Sequence, residues 1–274
     1  MKQMFKDRLV IITGGSSGIG KVLAHRLFRK GANIALIARD EKKLNAVKEE
    51  LIKAAGGQKV EAHSCDVADY QTVEATFAKI IKSMGLPYML INSAGVLKEG
   101  YFEKQPLETF RTIMDINYFG TLHCIQAALP YFKQAGKGRI VNMSSMGGRI
   151  GSFGYSAYCS SKFAVNGLTE TLRAELRPQK IRFHLVCPPE FDSPMVDELN
   201  TYRTIENREL VQTIPVLTVD TVADEIISGI ENGKFLIIPG KVTRVIDGLN
   251  RLSPRLSRSI IDYRIKKVYR GPQS

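Results

Sequence analysis

Short apolar runs alternate along the chain with longer stretches whose apolar residues recur every three or four positions. RLVIITG at 8–14 reads as a buried strand, and IGKVLAHRLFRKG at 19–31 as a helix stopped by Gly31. NIALIAR at 33–39 is the next strand, followed by a helix over 40–57 with Asp40 as N-cap and Gly56 and Gly57 as stop signals. Strand KVEAHSCD, helix YQTVEATFAKIIKSMG and strand YMLINSAG repeat the alternation. A long helical segment then spans about 107–135, ahead of strand GRIVNMSS. A helix running to about Arg177, strand IRFHLVCP, helix VDTVADEIISGIENG and strand KFLIIPG complete the series. The apolar runs are continuous and rich in Val, Ile and Leu, the pattern of strands buried on both faces. With no linker and no repeat, strict β–α alternation predicts one α/β domain over 1–240. Its mostly parallel, doubly wound, seven-stranded sheet carries helices on both faces.

Composition agrees with a globular chain. Of 274 residues, 44% are apolar and 24% charged, enough to build a large core without disulfides. The four cysteines, Cys65, Cys124, Cys159 and Cys187, lie far apart and make no CxxC or metal spacing. They read as reduced, buried thiols of a cytoplasmic protein, and no metal site is expected. Residues 1–8 are short and polar, so no signal segment is expected, and no apolar run approaches membrane-spanning length. The net charge of +12 is uneven: from Lys241 onward there are nine basic and two acidic residues. That basic tail, 241–274, points to an anionic surface as a partner.

The sharpest local pattern is TGGSSGIG at 13–20, between the first strand and the first helix. Gly14, Gly18 and Gly20 let the backbone turn sharply and a ligand come close. The helix N-terminus behind them offers free N–H groups to a pyrophosphate. At the end of the second strand, where an acidic residue would hold a ribose 2′-hydroxyl, the chain has Ala38 and then Arg39. A guanidinium suits a 2′-phosphate, so NADP(H) is expected over NAD(H). Farther on, GYSAYCSSKFA at 154–164 puts Tyr158 and Lys162 one helical turn apart. Spacing alone does not single them out, because Tyr263 and Lys267 repeat it in the tail.

Four stretches together carry more. TGGSSGIG, NSAG at 92–95, Asn117 in DINYFG, and Ser145 thirteen residues before Tyr158-x-x-x-Lys162 resemble the short-chain dehydrogenases/reductases, over about 7–240. The resemblance implies a Rossmann-type domain and ketone reduction with a nicotinamide dinucleotide. By the same resemblance Tyr158 is the general acid and Ser145 holds the carbonyl oxygen. Lys162 binds the nicotinamide ribose and lowers the tyrosine pKa, and Asn117 positions a water. Ser16, Ser17 and Ile19 join the three glycines in the dinucleotide site. Asp66 and Val67 meet the adenine, and Asn92, Ala94 and Gly95 line the cofactor with Pro188 and Ser193. Two departures stand out: Ser93 where an asparagine is frequent, and Pro189 where glycine is usual. PPEFDSP, LIAR and FGYSAYCSSKFAVNGL are similar to one NADPH-dependent branch of the family, the 3-ketodihydrosphingosine reductases, which implies a long-chain 3-keto amine as substrate.

The resemblance implies that residues 190–217 cover the substrate as a lid; their apolar residues, Phe191, Met195, Val196, Leu199, Leu210 and Val211, suit either a lid or a helix packed on the domain. In the tail, Val242, Val245, Ile246, Leu249 and Leu252 recur at helical spacing, as do Leu256, Ile260, Ile261, Ile265 and Val268. Such a basic amphipathic segment suits either peripheral contact with a membrane surface or packing on the protein. No aromatic–basic interleaving supports nucleic acid. The resemblance implies a homodimer or homotetramer through the helices near 107–135 and 157–177. Rival readings are reduction of another apolar ketone, such as a steroid or 3-oxoacyl chain, and a non-catalytic nucleotide-binding regulator.

Overall fold

Seven parallel strands form one sheet in the order β3-β2-β1-β4-β5-β6-β7. In this computed structural model, which describes residues 4–54, 57–212 and 214–270, the strands are β1 (Leu9–Thr13), β2 (Asn33–Ala38), β3 (Val60–Ser64), β4 (Pro87–Asn92), β5 (Gly138–Met143), β6 (Ile181–Val186) and β7 (Leu236–Ile237). β1 sits between β2 and β4, with Val10 opposite Ile34 on one side and Met89 on the other. Strand order reverses there, and a crevice opens at the carboxyl ends of β1 and β4, where this kind of sheet takes its ligands.

Helices α1 (Gly18–Arg29), α2 (Glu41–Lys53) and α3 (Tyr70–Met84) follow the first three strands. Asp40 caps α2 as expected, its side chain accepting from the Lys43 N–H at 3.0 Å. Gly57 has φ +89°, while Gly56 lies outside the described residues. Alternate residues of β1 feed two cores. Val10 and Ile12 pack with Leu23, Leu27 and Ile226, whereas Leu9 and Ile11 pack with Phe77, Phe132 and Ile140. This two-sided burial is why the strand has no polar alternation.

Two expected elements change. The helix expected over 107–135 is interrupted: α4 (Leu107–Met114) passes through one π turn, Asp115–Phe119, into α5 (Gly120–Gln134). The widened turn carries Asn117, whose side-chain amide is bonded in both directions to the Val96 backbone. The strand expected over 234–240 pairs only at β7. The Lys234 N–H is taken by the Gly229 carbonyl at the end of the preceding helix, and Pro239 has no N–H to give.

Helix α6 (Ser156–Glu175) carries the Tyr/Lys pair, and α7 (Pro194–Asn200) and α8 (Ile205–Val211) build the segment expected as a lid. After α9 (Val219–Glu231), the basic tail folds as α10 (Lys241–Leu252) and α11 (Pro254–Arg270). Both tail helices pack on the domain. Asp247 accepts from Arg149 at 2.7 and 3.3 Å, Arg264 meets Glu209 at 3.4 Å, and the Tyr269 hydroxyl donates to Glu206 at 2.7 Å. Asp247 is buried with Arg149 as its ion-pair partner. Replacing Asp247→Ala removes a charge-assisted bidentate contact and leaves the guanidinium unpaired. The expected cost is about 2–3 kcal/mol, read as a lower urea midpoint; an unchanged midpoint removes this pair as the anchor of α10.

Candidate active site

The glycine turn between β1 and α1 is shaped for close approach. A Cβ on Gly14, whose φ is +68°, would lie 2.8 Å from the Ala94 nitrogen and the Ser93 oxygen. One on Gly20 would come within 2.3 Å of the Gly14 oxygen. Gly18, at φ +50°, faces open space. Ser17, the residue before α1, makes no side-chain cap, so its helix presents uncapped amides beside half-buried Ser16. Thr13 stitches the turn to β4, its Oγ1 accepting from the Ser93 and Ala94 N–H groups at 3.1 Å. The Ser93 hydroxyl is buried with no partner among the described residues, at the edge of the cleft. A glycine cradle, uncapped amides and an unpartnered hydroxyl fit a dinucleotide.

The remaining expected cofactor residues divide. Ile19, Gly95, Pro188 and Ser193 stand at or beside the cleft: Ile19, Gly95 and Ser193 line it, as does Pro188, whose carbonyl accepts from the Met146 N–H at 2.9 Å. Ser193 also caps α7. Arg39 is exposed at the end of β2 and makes no ion pair among the described residues. Asp66 accepts from the Ala68 N–H, and buried Val67 packs where a Cβ on Gly120 would come within 2.6 Å. Asn92 departs from expectation. It is 2% exposed and spends its amide on Asn142 at 2.8 Å, which in turn reaches Thr169 at 2.9 Å. It braces β4, β5 and α6 beneath the cleft and does not line it; Ala94 likewise contributes backbone to the floor.

At the other end of the cleft, Ser145, Tyr158 and Lys162 come together. Ser145 follows β5, its Oγ accepting from the Gly147 N–H at 3.0 Å. Lys162 Nζ lies 5.6 Å from the centre of the Tyr158 ring and donates to the Met143 carbonyl at 2.9 Å. Here the expected electrostatics are corrected. Burial pushes the Tyr158 hydroxyl up to about 12, against a hydrogen bond with Ser145 that lowers it, and burial brings Lys162 down to about 8. Desolvation is the largest influence on the phenol in this arrangement, so it stands above its ordinary value even with the amine nearby. Asn117 is also engaged more fully than expected. Beyond the Val96 backbone, its Nδ2 donates to Ser161 Oγ at 2.9 Å, so the side chain locks the loop after β4 to α6.

A second cavity, of about 290 Å³, abuts the first. Its walls are apolar and come from four regions: Met146 and Ile150 after β5, Leu210 and Ile214 in and after α8, Ile246 on α10, and Ile261 on α11. The two cavities share Ser145, Tyr155, Pro189 and Glu190. Tyr155 and Glu190 lie in the FGYSAYCSSKFAVNGL and PPEFDSP stretches, but neither carries an expected role of its own.

A dinucleotide cradle opening onto a Ser/Tyr/Lys set around one cleft defines an oxidoreductase that works with a nicotinamide cofactor. Residues 8–204 match the family model described as short chain dehydrogenase, and the chain belongs to that family. It is 38% identical over 229 residues to the 3-ketodihydrosphingosine reductase of Bos taurus, covering 82% of this chain and 69% of that protein. A short-chain dehydrogenase from Sphingobium yanoikuyae, solved in complex with NADPH, is 30% identical with a TM-score of 0.77, over 91% of this chain and 94% of the other. One from Burkholderia phymatum, solved with NAD, shares the fold at a TM-score of 0.82 and 23% identity, over 93% and 96% of the two chains.

Proposed function

We propose that this protein reduces the ketone of a long-chain 3-keto amine, 3-ketodihydrosphingosine, with NADPH. The observation that carries the reading is the apolar cavity that starts at Ser145 and runs to α10 and α11. A carbonyl held at Ser145 and Tyr158 leaves its alkyl chain facing Met146, Ile150, Ile214 and Ile246. The similarity to a reductase of that substrate supports the same choice.

Gly14, Gly18, Gly20 and the uncapped start of α1 would hold the pyrophosphate, Arg39 the 2′-phosphate, and Asp66 and Val67 the adenine. Lys162, Pro188 and Ser193 would hold the nicotinamide end. When bound, the dinucleotide supplies a hydride to the carbonyl carbon. Ser145 donates to the carbonyl oxygen as negative charge grows there. Tyr158 then passes its hydroxyl proton to the same oxygen. A phenol at about 12 is fully protonated at neutral pH, the state a proton donor needs, and an alkoxide is basic enough to take the proton. Lys162, at about 8, is mostly charged at pH 7 and steadies the phenolate left behind.

The tail gives the enzyme a way to meet a lipid. Val242, Val245 and Leu252 are exposed on α10, Leu256 and Ile260 on α11, and Arg251, Arg255 and Arg258 are exposed around them. No helix among the described residues is long and apolar enough to cross a membrane. This face would meet a membrane from the side: apolar side chains at the interface and guanidinium groups against an anionic leaflet.

Three outcomes are expected. Tyr158→Phe lowers NADPH oxidation with 3-ketodihydrosphingosine by about 10²- to 10⁴-fold while NADPH titration changes little; normal turnover in that variant ends the proton-donor assignment. Arg39→Asp lowers the ratio of kcat/KM for NADPH over NADH by about tenfold to a hundredfold; an unmoved ratio takes Arg39 away from the 2′-phosphate. Arg255→Gln with Arg258→Gln removes about 2 kcal/mol, seen as roughly thirtyfold weaker sedimentation with phosphatidylserine vesicles; equal binding rules out this face.

A further inference from the structure

Glu190 stands where the two cavities meet. It follows β6 in CPPEFDSP and lines both the cleft with Tyr158 and the apolar chamber behind Ser145. Among the described residues it is the only acidic side chain lining either cavity; the charged groups beside it are Lys162 in one and Arg264 in the other. Its Oε2 accepts from Arg203 Nη2 at 2.7 Å, and the two side chains are only 13% and 4% exposed. Oε1 receives no hydrogen bond among the described residues and is not sealed from the cavity. One oxygen is thus engaged by Arg203 while the second has acceptor capacity to spare.

We infer that Glu190 receives the ammonium group of the substrate and sets the preference for amino ketones over plain ones. This rests on the reading of the substrate as a long-chain 3-keto amine. In such a molecule the amine sits on the carbon next to the carbonyl. With the carbonyl oxygen at Ser145 and Tyr158, and the alkyl chain in the apolar chamber, the amine falls in the region the two cavities share. An ammonium brought there loses water and needs an acceptor, and Glu190 is the anionic one available. A ketone without the amine leaves the carboxylate half-used and the pocket poorly solvated, so the site discriminates by what it leaves unpaired. Arg203 acts at one remove: it holds Glu190 in place.

The test compares NADPH oxidation on 3-ketodihydrosphingosine and on the same-length 3-ketone lacking the amine, in the unmodified full chain, Glu190→Gln and Arg203→Gln. The unmodified protein should favour the amino ketone in kcat/KM by about tenfold to a hundredfold. Glu190→Gln should erase most of that preference through KM, whereas Arg203→Gln, which retains the carboxylate, should lower both rates and keep the preference. Equal efficiency on the two ketones in the unmodified protein overturns the assignment and needs no variant to fold. Equal losses on both ketones in Glu190→Gln overturn it too, making the residue a brace for Arg203, and leave the lipid-ketone reading standing. If the unmodified protein reduces neither ketone, the substrate reading itself fails, and the inference with it.

Discussion

The seating of α6 on the ends of β4 and β5 is the constraint on which the rest depends. A helix that carries both a proton donor and an amine must be fixed in rotation as well as position. Five buried contacts do this. Lys162 Nζ donates to the Met143 carbonyl, Ser144 Oγ to the Lys162 carbonyl, Asn142 to Thr169, Asn117 to Ser161, and Asn166 to the Gly148 carbonyl. Gly148 makes the approach close: a Cβ there would stand 2.5 Å from Ser144 Oγ and 2.8 Å from the Lys162 carbonyl. Each bond is of ordinary strength, about 1 kcal/mol net. Buried together, they are costly to break singly, because each broken bond strands a polar group away from water. The result is one orientation of Tyr158 toward the cleft.

That arrangement explains which parts of the protein the sequence makes legible. The alternation of continuous apolar runs with helical stretches is local, and so is the glycine turn between β1 and α1. Asp40 before α2 and Gly31 after α1 are local signals, too, and they act as such. The Tyr158/Lys162 pair becomes distinctive only in company with Ser145 and Asn117, far away in sequence. What the sequence hides is set by contacts between elements. Asn92 looks like a lining residue because NSAG is one motif, yet its side chain points to Asn142 across the β4–β5 pair. The π turn at Asp115–Phe119 has no compositional mark; it exists because Asn117 is claimed by the loop after β4. Glu190 and Tyr155 gain meaning only when two cavities meet beside them.

Burial of a titratable group does not by itself mark a site. His184 on β6 is fully buried and driven down to about 4 by desolvation. Its Nδ1 lies 2.6 Å from the Lys234 carbonyl and its Nε2 3.0 Å from Arg139 Nη1, so both ring nitrogens are consumed by a neutral imidazole bridging the sheet edge. It lines neither of the two cavities around Ser145. Lys162 is buried too and Tyr158 half-buried, but both line open volume together with the Ser145 hydroxyl. The distinction between a structural and a chemical buried group lies in that residual access, more than in the size of the shift.

The tail joins the chemistry to the surface. On α10, Ile246 and Leu249 line the chamber while Val242, Val245 and Leu252 face outward, and on α11 Ile261 lines it while Leu256 and Ile260 do both. The same two helices therefore form an inner wall and an outer apolar face, separated by roughly one helix diameter of about 10–12 Å. On the proposed reading, an alkyl chain entering at this face meets Leu256 and Ile260, which are exposed and also line the chamber that reaches Ser145. The Arg149–Asp247 pair, at 2.7 Å, ties α10 to the turn after β5. The inner wall on α10 is thereby held to the same turn after β5 that carries Ser145.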